Sequence, residues 1–254
     1  MILVIDIGNT NIVAGLVDGK DILFRERLST AHRATKLEYS VLFKTAFDMY
    51  GIDYKKVEGA IISSVVPSVT NVVRDAVENL CGISVMVVGP GVKTGISIVI
   101  DNPAQLGSDL VVDAVAGIEE YPLTQIIIDM GTATTVSVID KKKQFLGGAI
   151  LPGVAVSHDA LIGRTSQLPK VAFEKPKKMI GSNTVDSIKS GILYGNAGAI
   201  EGIVDRYEEE LGEKCTVIAT GGLAKVIVPL CRREIIVDED LLLKGLMLIY
   251  KKNK

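Results

Sequence analysis

One repeat constrains this chain more than any other feature. Ile2-Leu3-Val4-Ile5-Asp6-Ile7-Gly8-Asn9-Thr10 is an apolar run that ends in an acid, a glycine and a small hydroxylic residue. About half a chain later, Ile126-Ile127-Ile128-Asp129-Met130-Gly131-Thr132-Ala133-Thr134 repeats the plan. Each run leads into a second β-rich stretch, residues 12–17 and 135–139, and then into turn formers, Asp18-Gly19-Lys20 and Asp140-Lys141-Lys142-Lys143. Short apolar runs joined by glycine and small polar residues read as β-hairpins. The chain is therefore expected to be an internal duplication with a hairpin opening each half.

Behind each hairpin the pattern alternates. Residues 38–50 have helical spacing, with Leu42, Phe43, Ala46 and Phe47 on one side. Residues 60–66 read as a buried strand closed by Pro67, and residues 69–81 as a helix. Residues 111–120, 185–211 and 241–250 read as further helices, and residues 217–220 as a strand running into Gly221-Gly222. Strands alternating with helices imply α/β layers. Two domains are expected, 1–121 and 122–254, with no low-complexity linker between them. With 48% hydrophobic and 23% charged residues over 254 positions, the chain can bury a substantial core.

Several function classes lose their footing here. A net charge of −2 gives no basic face for nucleic acid, and Lys141–Lys143 and Lys175–Lys178 read as solvated loops. No apolar run approaches the ~18 residues of a membrane span. Cys81, Cys215 and Cys231 are an odd, scattered set, which suits buried thiols in a reducing compartment rather than a disulfide framework or zinc site. His32 and His158 lack metal-ligand spacing and read as structural or surface groups. The expectation is a soluble, cytoplasmic protein with no nucleic-acid or membrane partner.

The hairpins carry the chemistry. An acid at a strand end can hold Mg²⁺, which makes Asp6 a candidate ligand. Gly8 lets backbone approach a phosphate, and Asn9, Thr10 and Asn11 add neutral donors. An ordinary tight turn explains a single copy equally well. The second copy, with the late Thr220-Gly221-Gly222-Leu223 turn, shifts the balance towards two hairpins gripping a triphosphate. The chain has neither the P-loop pattern nor Gly-x-Gly-x-x-Gly. Asp109 follows Gly107-Ser108, and on spacing alone its commoner job is to cap the helix at 111–120.

The duplicated hairpins resemble the phosphate motifs of the acetate/sugar kinase–Hsp70–actin superfamily. More closely, the chain resembles the type III pantothenate kinases from end to end. The resemblance is carried by Asp6-Ile7-Gly8-Asn9-Thr10-Asn11, Ile62-Ser63-Ser64-Val65-Val66-Pro67, Asp101-Asn102-Pro103, Gly107-Ser108-Asp109 and Asp129-Met130-Gly131-Thr132. Further matches are Gly147-Gly148-Ala149-Ile150-Leu151-Pro152-Gly153, Gly181-Ser182-Asn183-Thr184 and Ala219-Thr220-Gly221-Gly222-Leu223. The fold implied is a pair of actin/hexokinase-like (ribonuclease H-like) α/β domains, mixed sheets flanked by helices. The activity implied is ATP-dependent phosphorylation of pantothenate, opening coenzyme A biosynthesis.

By that resemblance Asp6, Ile7, Gly8, Asn9, Thr10, Asn11, Ile12 and Val13 form the first ATP-phosphate segment, and Thr132 touches the phosphates. Asp109 becomes the general base rather than a cap. Asp129 ligates a monovalent cation, K⁺ or NH₄⁺, beside ATP and Mg²⁺. Gly107, Ser108, Asp109, Leu110, Thr184 and Ile100 line the acceptor pocket of a homodimer. The acceptor side departs from the family pattern at Val99, Ile100, Leu110 and Asp113, where the family has arginines, a tyrosine and an asparagine. An alternative therefore stands beside the first reading: a relative that phosphorylates another small alcohol, or a non-catalytic nucleotide-binding regulator.

Overall fold

The structure is a computed structural model that describes residues 1–19 and 21–254; Lys20, the last residue of the expected turn 18–20, lies outside the described residues. The chain divides into two compact units. One comprises Met1–Ile96, Asn102–Ala116 and Leu241–Lys254, and the other Ser97–Asp101 and Gly117–Asp240.

The first unit is built on β1 (Ile2–Ile7), β2 (Asn11–Asp18), β3 (Asp21–Ser29), β4 (Gly59–Ser64) and β5 (Val85–Val87), in the order β3-β2-β1-β4-β5. The second uses β6 (Ser97–Ile98), β7 (Gln125–Met130), β8 (Ala133–Ile139), β9 (Gln144–Pro152), β10 (Thr216–Thr220) and β11 (Ile236–Val237), in the order β11-β10-β7-β8-β9-β6. In both, an antiparallel meander is extended by parallel strands on the side of its first strand. Strands β1 and β7 even share one pattern of burial along their six residues, with Asp6 and Asp129 at the same place. The duplication expected from sequence is thus present in the sheets.

Each expected hairpin is really a three-stranded meander, because β3 and β9 had no clear sequence signal. β3 is an edge strand in which Arg25, Glu26 and Arg27 interrupt the apolar residues. β9 carries Gly147-Gly148 and ends at Pro152, all poor strand formers. A Cβ on Gly148 would lie 2.0 Å from the Val136 carbonyl oxygen, so glycine there lets β9 sit close on β8.

The helices cover the apolar faces. α1 (Lys36–Met49) starts at a capping box, Thr35 with Glu38, and α2 (Pro67–Cys81) starts with proline in its first turn. Leu3, Ile5 and Ile7 of β1 pack with Tyr39, Phe43 and Phe47 of α1 and Val69, Val73 and Val77 of α2. α3 (Ser108–Glu120) contributes Val112 and Val115 to a separate core with Ile2 and Val4. In the second unit, α4 (Val154–Gly163), α5 (Thr184–Leu211) and α6 (Ala224–Ile227) cover Ile126, Ile128, Val136 and Val138. α7 (Leu241–Lys252) comes last in the chain yet completes the first unit, setting Leu243, Leu246, Ile249 and Tyr250 against Ile2, Val4 and Ile61.

Candidate functional site

The first phosphate-type turn joins β1 to β2. The Gly8 amide donates to the Asn11 carbonyl at 2.9 Å, and a Cβ on Gly8 would come within 3.1 Å of that oxygen. Asn9 and Thr10 are exposed at the tip, whereas Ile7 and Ile12 are wholly buried. Those two isoleucines can therefore offer a nucleotide only their backbone. Asp6, the last residue but one of the strand, is half-buried and paired in register with Val13 on β2 and Ser63 on β4. Thr30 fastens the turn from behind: its hydroxyl donates to the Gly8 carbonyl at 2.6 Å and its amide to the Thr10 carbonyl at 2.9 Å. Nothing in the linear pattern marks Thr30, because its role depends on the register of β3 against β2.

The second turn, between β7 and β8, is one residue tighter: Met130 pairs with Thr134, whereas Ile7 pairs with Ile12. Thr132 is exposed at its tip. Asp129 is half-buried and lies opposite Thr220 on β10. Gly221 has a left-handed backbone (φ +90°), and a Cβ there would lie 2.5 Å from the Asp129 carboxylate oxygen Oδ1. The acid thus lies against bare backbone close to a strand end. Glycine at 221 keeps that space clear.

Asp109 stands in the first turn of α3, which begins at Ser108. The helix has already started at Ser108, so Asp109 does not sit at the cap position weighed from sequence; its carboxylate accepts from first-turn amides, that of Leu110 at 2.9 Å and its own. Burial pushes the Asp109 carboxyl above the ordinary carboxylate range, against the lowering effect of the backbone amides of Leu110 and of Asp109 itself. A raised pKa makes the ionised form a stronger proton acceptor. Gly107 makes room for it, because a Cβ there would lie 2.3 Å from Asp109 Oδ1.

The turn that carries Asp109 is tied to the end of β4 through hydroxyls. Ser108 Oγ accepts from the Ser64 amide and donates to the Ser64 carbonyl, both at 3.0 Å. Its one proton being spent, the Ser63 hydroxyl at 3.0 Å must be the donor of that pair. Ser108 therefore has a structural task in addition to any contact with substrate. The hydroxyls of Ser64 and Thr70 lie 2.7 Å apart and extend the cluster into α2.

The acceptor residues named by resemblance fall on different units. Gly107, Ser108, Asp109 and Leu110 belong to the first, Ile100 and Thr184 to the second. Thr184 opens α5 just after Asn183, whose side chain caps the helix by accepting from the Asp186 amide at 2.9 Å. It lines an open groove of about 870 Å³ with Ser157, Leu161, Asn183 and Ser187. Val99 is exposed, while Ile100 and Leu110 are half-buried. Asp113 is only 1% exposed, on the inner side of α3, so the negative charge weighed at this position is withheld from solvent.

The residues set aside from sequence behave accordingly. His158 is buried: its Nε2 accepts from the Val171 amide at 3.2 Å, leaving the proton on Nδ1 beside Asp159. His32 is exposed. All three cysteines are free thiols, and burial pushes Cys81 and Cys231 up to about 11, far from a reactive thiolate.

Residues 2–206 match the family of type III pantothenate kinases. The chain is 43% identical over 253 residues to the type III pantothenate kinase of Halalkalibacterium halodurans, covering all of both chains. It is 44% identical over 253 residues to that of Syntrophus aciditrophicus, again covering all of both. The chain belongs to the type III pantothenate kinase family. It is accordingly a phosphotransferase acting on a small molecule, and identity running the full length of these kinases does not favour the divergent-relative alternative. Among solved structures, component A of the (R)-2-hydroxyglutaryl-CoA dehydratase of Acidaminococcus fermentans aligns with a TM-score of 0.58 and 14% identity, over 99% of this chain and 98% of that one. At that identity the likeness is one of fold, and the fold is the actin/hexokinase-like α/β architecture expected from sequence. No helix among the described residues is long and apolar enough to cross a membrane.

Proposed function

We propose that this chain transfers the γ-phosphoryl group of ATP to the primary hydroxyl of pantothenate, the first step of coenzyme A biosynthesis. The observation that carries the reading is Asp109: a half-buried carboxylate of raised basicity on a glycine-cleared turn, in a chain that matches pantothenate kinases from end to end. Asp109 takes the hydroxyl proton as the alcohol oxygen bonds to the γ-phosphorus. The bond from that phosphorus to the β–γ bridging oxygen breaks, and ADP leaves. Phosphoryl transfer asks the protein mainly for positioning and charge neutralisation. The turns at Gly8–Thr10 and Gly131–Thr132 supply neutral backbone donors and hydroxyls for the phosphates. Asp6 would hold Mg²⁺ and Asp129 a monovalent cation, K⁺ or NH₄⁺, each neutralising phosphate charge when bound.

The enzyme works as a homodimer in the cytoplasm. In support, Gly191, Gly195 and Gly198 of α5 face open space rather than packing within the protomer, and Met179, Ile180 and Val185 are exposed nearby in sequence. Light scattering at micromolar concentration should return a dimer mass, and a monomer would overturn that part. The activity is tested by incubating the protein with Mg²⁺-ATP, K⁺ and pantothenate and following ADP release and phosphorylated product. ATP binding without phosphorylated pantothenate would overturn the acceptor assignment.

A further inference from the structure

We propose that Thr30 is the positioning residue of the first phosphate turn: it holds the Gly8 and Thr10 carbonyls on one side and so aims the Asn9 and Asn11 amides at the nucleotide. The inference rests on the reading of this turn as an ATP-phosphate segment. A trans peptide is planar, with its C=O and N–H on opposite sides. The Gly8 carbonyl, held by the Thr30 hydroxyl, therefore turns the Asn9 N–H away from Thr30. The Thr10 carbonyl, held by the Thr30 amide, does the same for the Asn11 N–H. Two donors are thus set in one direction before any ligand arrives, which avoids the cost of ordering them on binding.

Thr30 is itself anchored. The next residue, Ala31, gives its amide to the Tyr39 hydroxyl and takes that hydroxyl's proton on its carbonyl, both at 3.1 Å. Tyr39 is completely buried among Phe43, Phe47 and the β1 side chains, so the anchor reaches the core of the unit. The second unit gives independent support. At the same place in its meander, the Gly153 amide donates to the Thr132 carbonyl at 3.1 Å. A Cβ on Gly153 would lie 2.3 Å from that oxygen and 2.6 Å from the Gly131 carbonyl. Both copies therefore present the end of the third strand to one glycine and one threonine carbonyl of the turn, and only the first does so with a side chain.

The test compares Thr30→Val, which keeps the shape and loses the hydroxyl, with Thr30→Ser, which keeps it. A net hydrogen bond of about 0.5–1.5 kcal/mol corresponds to roughly a two- to tenfold change in equilibrium constant. Calorimetric Kd for ATP should rise by that factor in Thr30→Val, KM for ATP should follow, and KM for the acceptor should stay at the wild-type value. Thr30→Ser should restore ATP affinity even if the valine variant melts earlier. Unchanged ATP affinity in Thr30→Val, or a loss that serine does not restore, overturns the assignment. Gly8→Val separates the two layers of the argument, since its side chain would displace the turn itself. If Gly8→Val still folds and binds ATP normally, the turn is not a phosphate segment and both readings fall. If it loses ATP while Thr30→Val keeps it, only the role of Thr30 falls.

Discussion

At the end of the third strand of the first unit stands Thr30, and at the corresponding place in the second stands Gly153. The backbone bond to the turn is the same in both, but one copy adds a hydroxyl and the other removes every side-chain atom. The contrast recurs after the parallel strand. β4 runs into Ser64, which shares hydroxyl bonds with Ser108 and Thr70 beside Asp109, whereas β10 runs into Gly221, pressed bare against Asp129. A duplicated scaffold has kept its backbone and diverged at its tips. The first unit places side-chain hydroxyls and a half-buried acid at its tips, the second bare backbone around one acid.

That contrast can be broken most sharply at the two acids. Asp109→Asn should lower turnover by ~10²–10⁴-fold while ATP still binds, as expected for loss of a general base. Unaltered turnover would remove proton transfer from the first unit. The raised pKa also fixes signs. The folded state holds the Asp109 proton more tightly than the unfolded chain does, so this group favours folding at low pH and ceases to as pH rises through its folded pKa. Asp109→Asn should therefore melt no lower than wild type at neutral pH. Wild-type kcat should fall on acidification at a pH above the usual aspartate value, and an acid limb at or below that value would contradict the buried base.

Asp129 should respond differently. Exchanging K⁺ for Na⁺ should cost roughly tenfold or more in kcat, a modest share of what charge-stabilising groups supply at such sites. Asp129→Asn should abolish the distinction between the two ions. Equal rates in K⁺, NH₄⁺ and Na⁺ would argue against a selective cation in the second unit.

The smallest expected effect concerns stability. Gly153→Ala must push its Cβ away from the Thr132 and Gly131 carbonyls, and overpacking of this kind costs about 1–3 kcal/mol. Thr30→Val should lose less, about 0.5–1.5 kcal/mol, the value of one hydrogen bond. Urea denaturation measures both. Equal losses would mean that the two third-strand ends are not organised differently after all.

Much of this was legible in the chain. The duplicated Asp-x-Gly turns, the strand at 60–66 and the helices on either side follow from apolar period and turn residues. Asp109 was visible as an acid after Gly107-Ser108, though that α3 starts at Ser108, three residues before the expected 111, was not. Thr30 and Gly153 could not be singled out, because each acts through strand register, which depends on pairing between segments. Strands β3 and β9 were hidden for a related reason: one is an edge with alternating charge, and the other depends on glycines that permit close approach. The burial of Asp113 was equally invisible, since an acid at that spacing fits either face of a helix. A cut at residue 121 also cannot show that α7 returns to the first unit.

The place of α7 has a consequence for biosynthesis. The core around Ile2, Val4 and Ile61 is begun by Val112 and Val115 of α3 and stays incomplete until Leu243, Leu246, Ile249 and Tyr250 have been made. Gly59 and Gly245 are shaped for this late docking, since a Cβ on either would collide with Tyr250 or with the Val112 backbone. Between Ala116 and Leu241 lie 124 residues (117–240), which at about 5–20 residues per second take roughly 6–25 s to translate. During that interval the apolar sheet face that α7 packs on lacks its last helix, and the half of the protein made first is finished last.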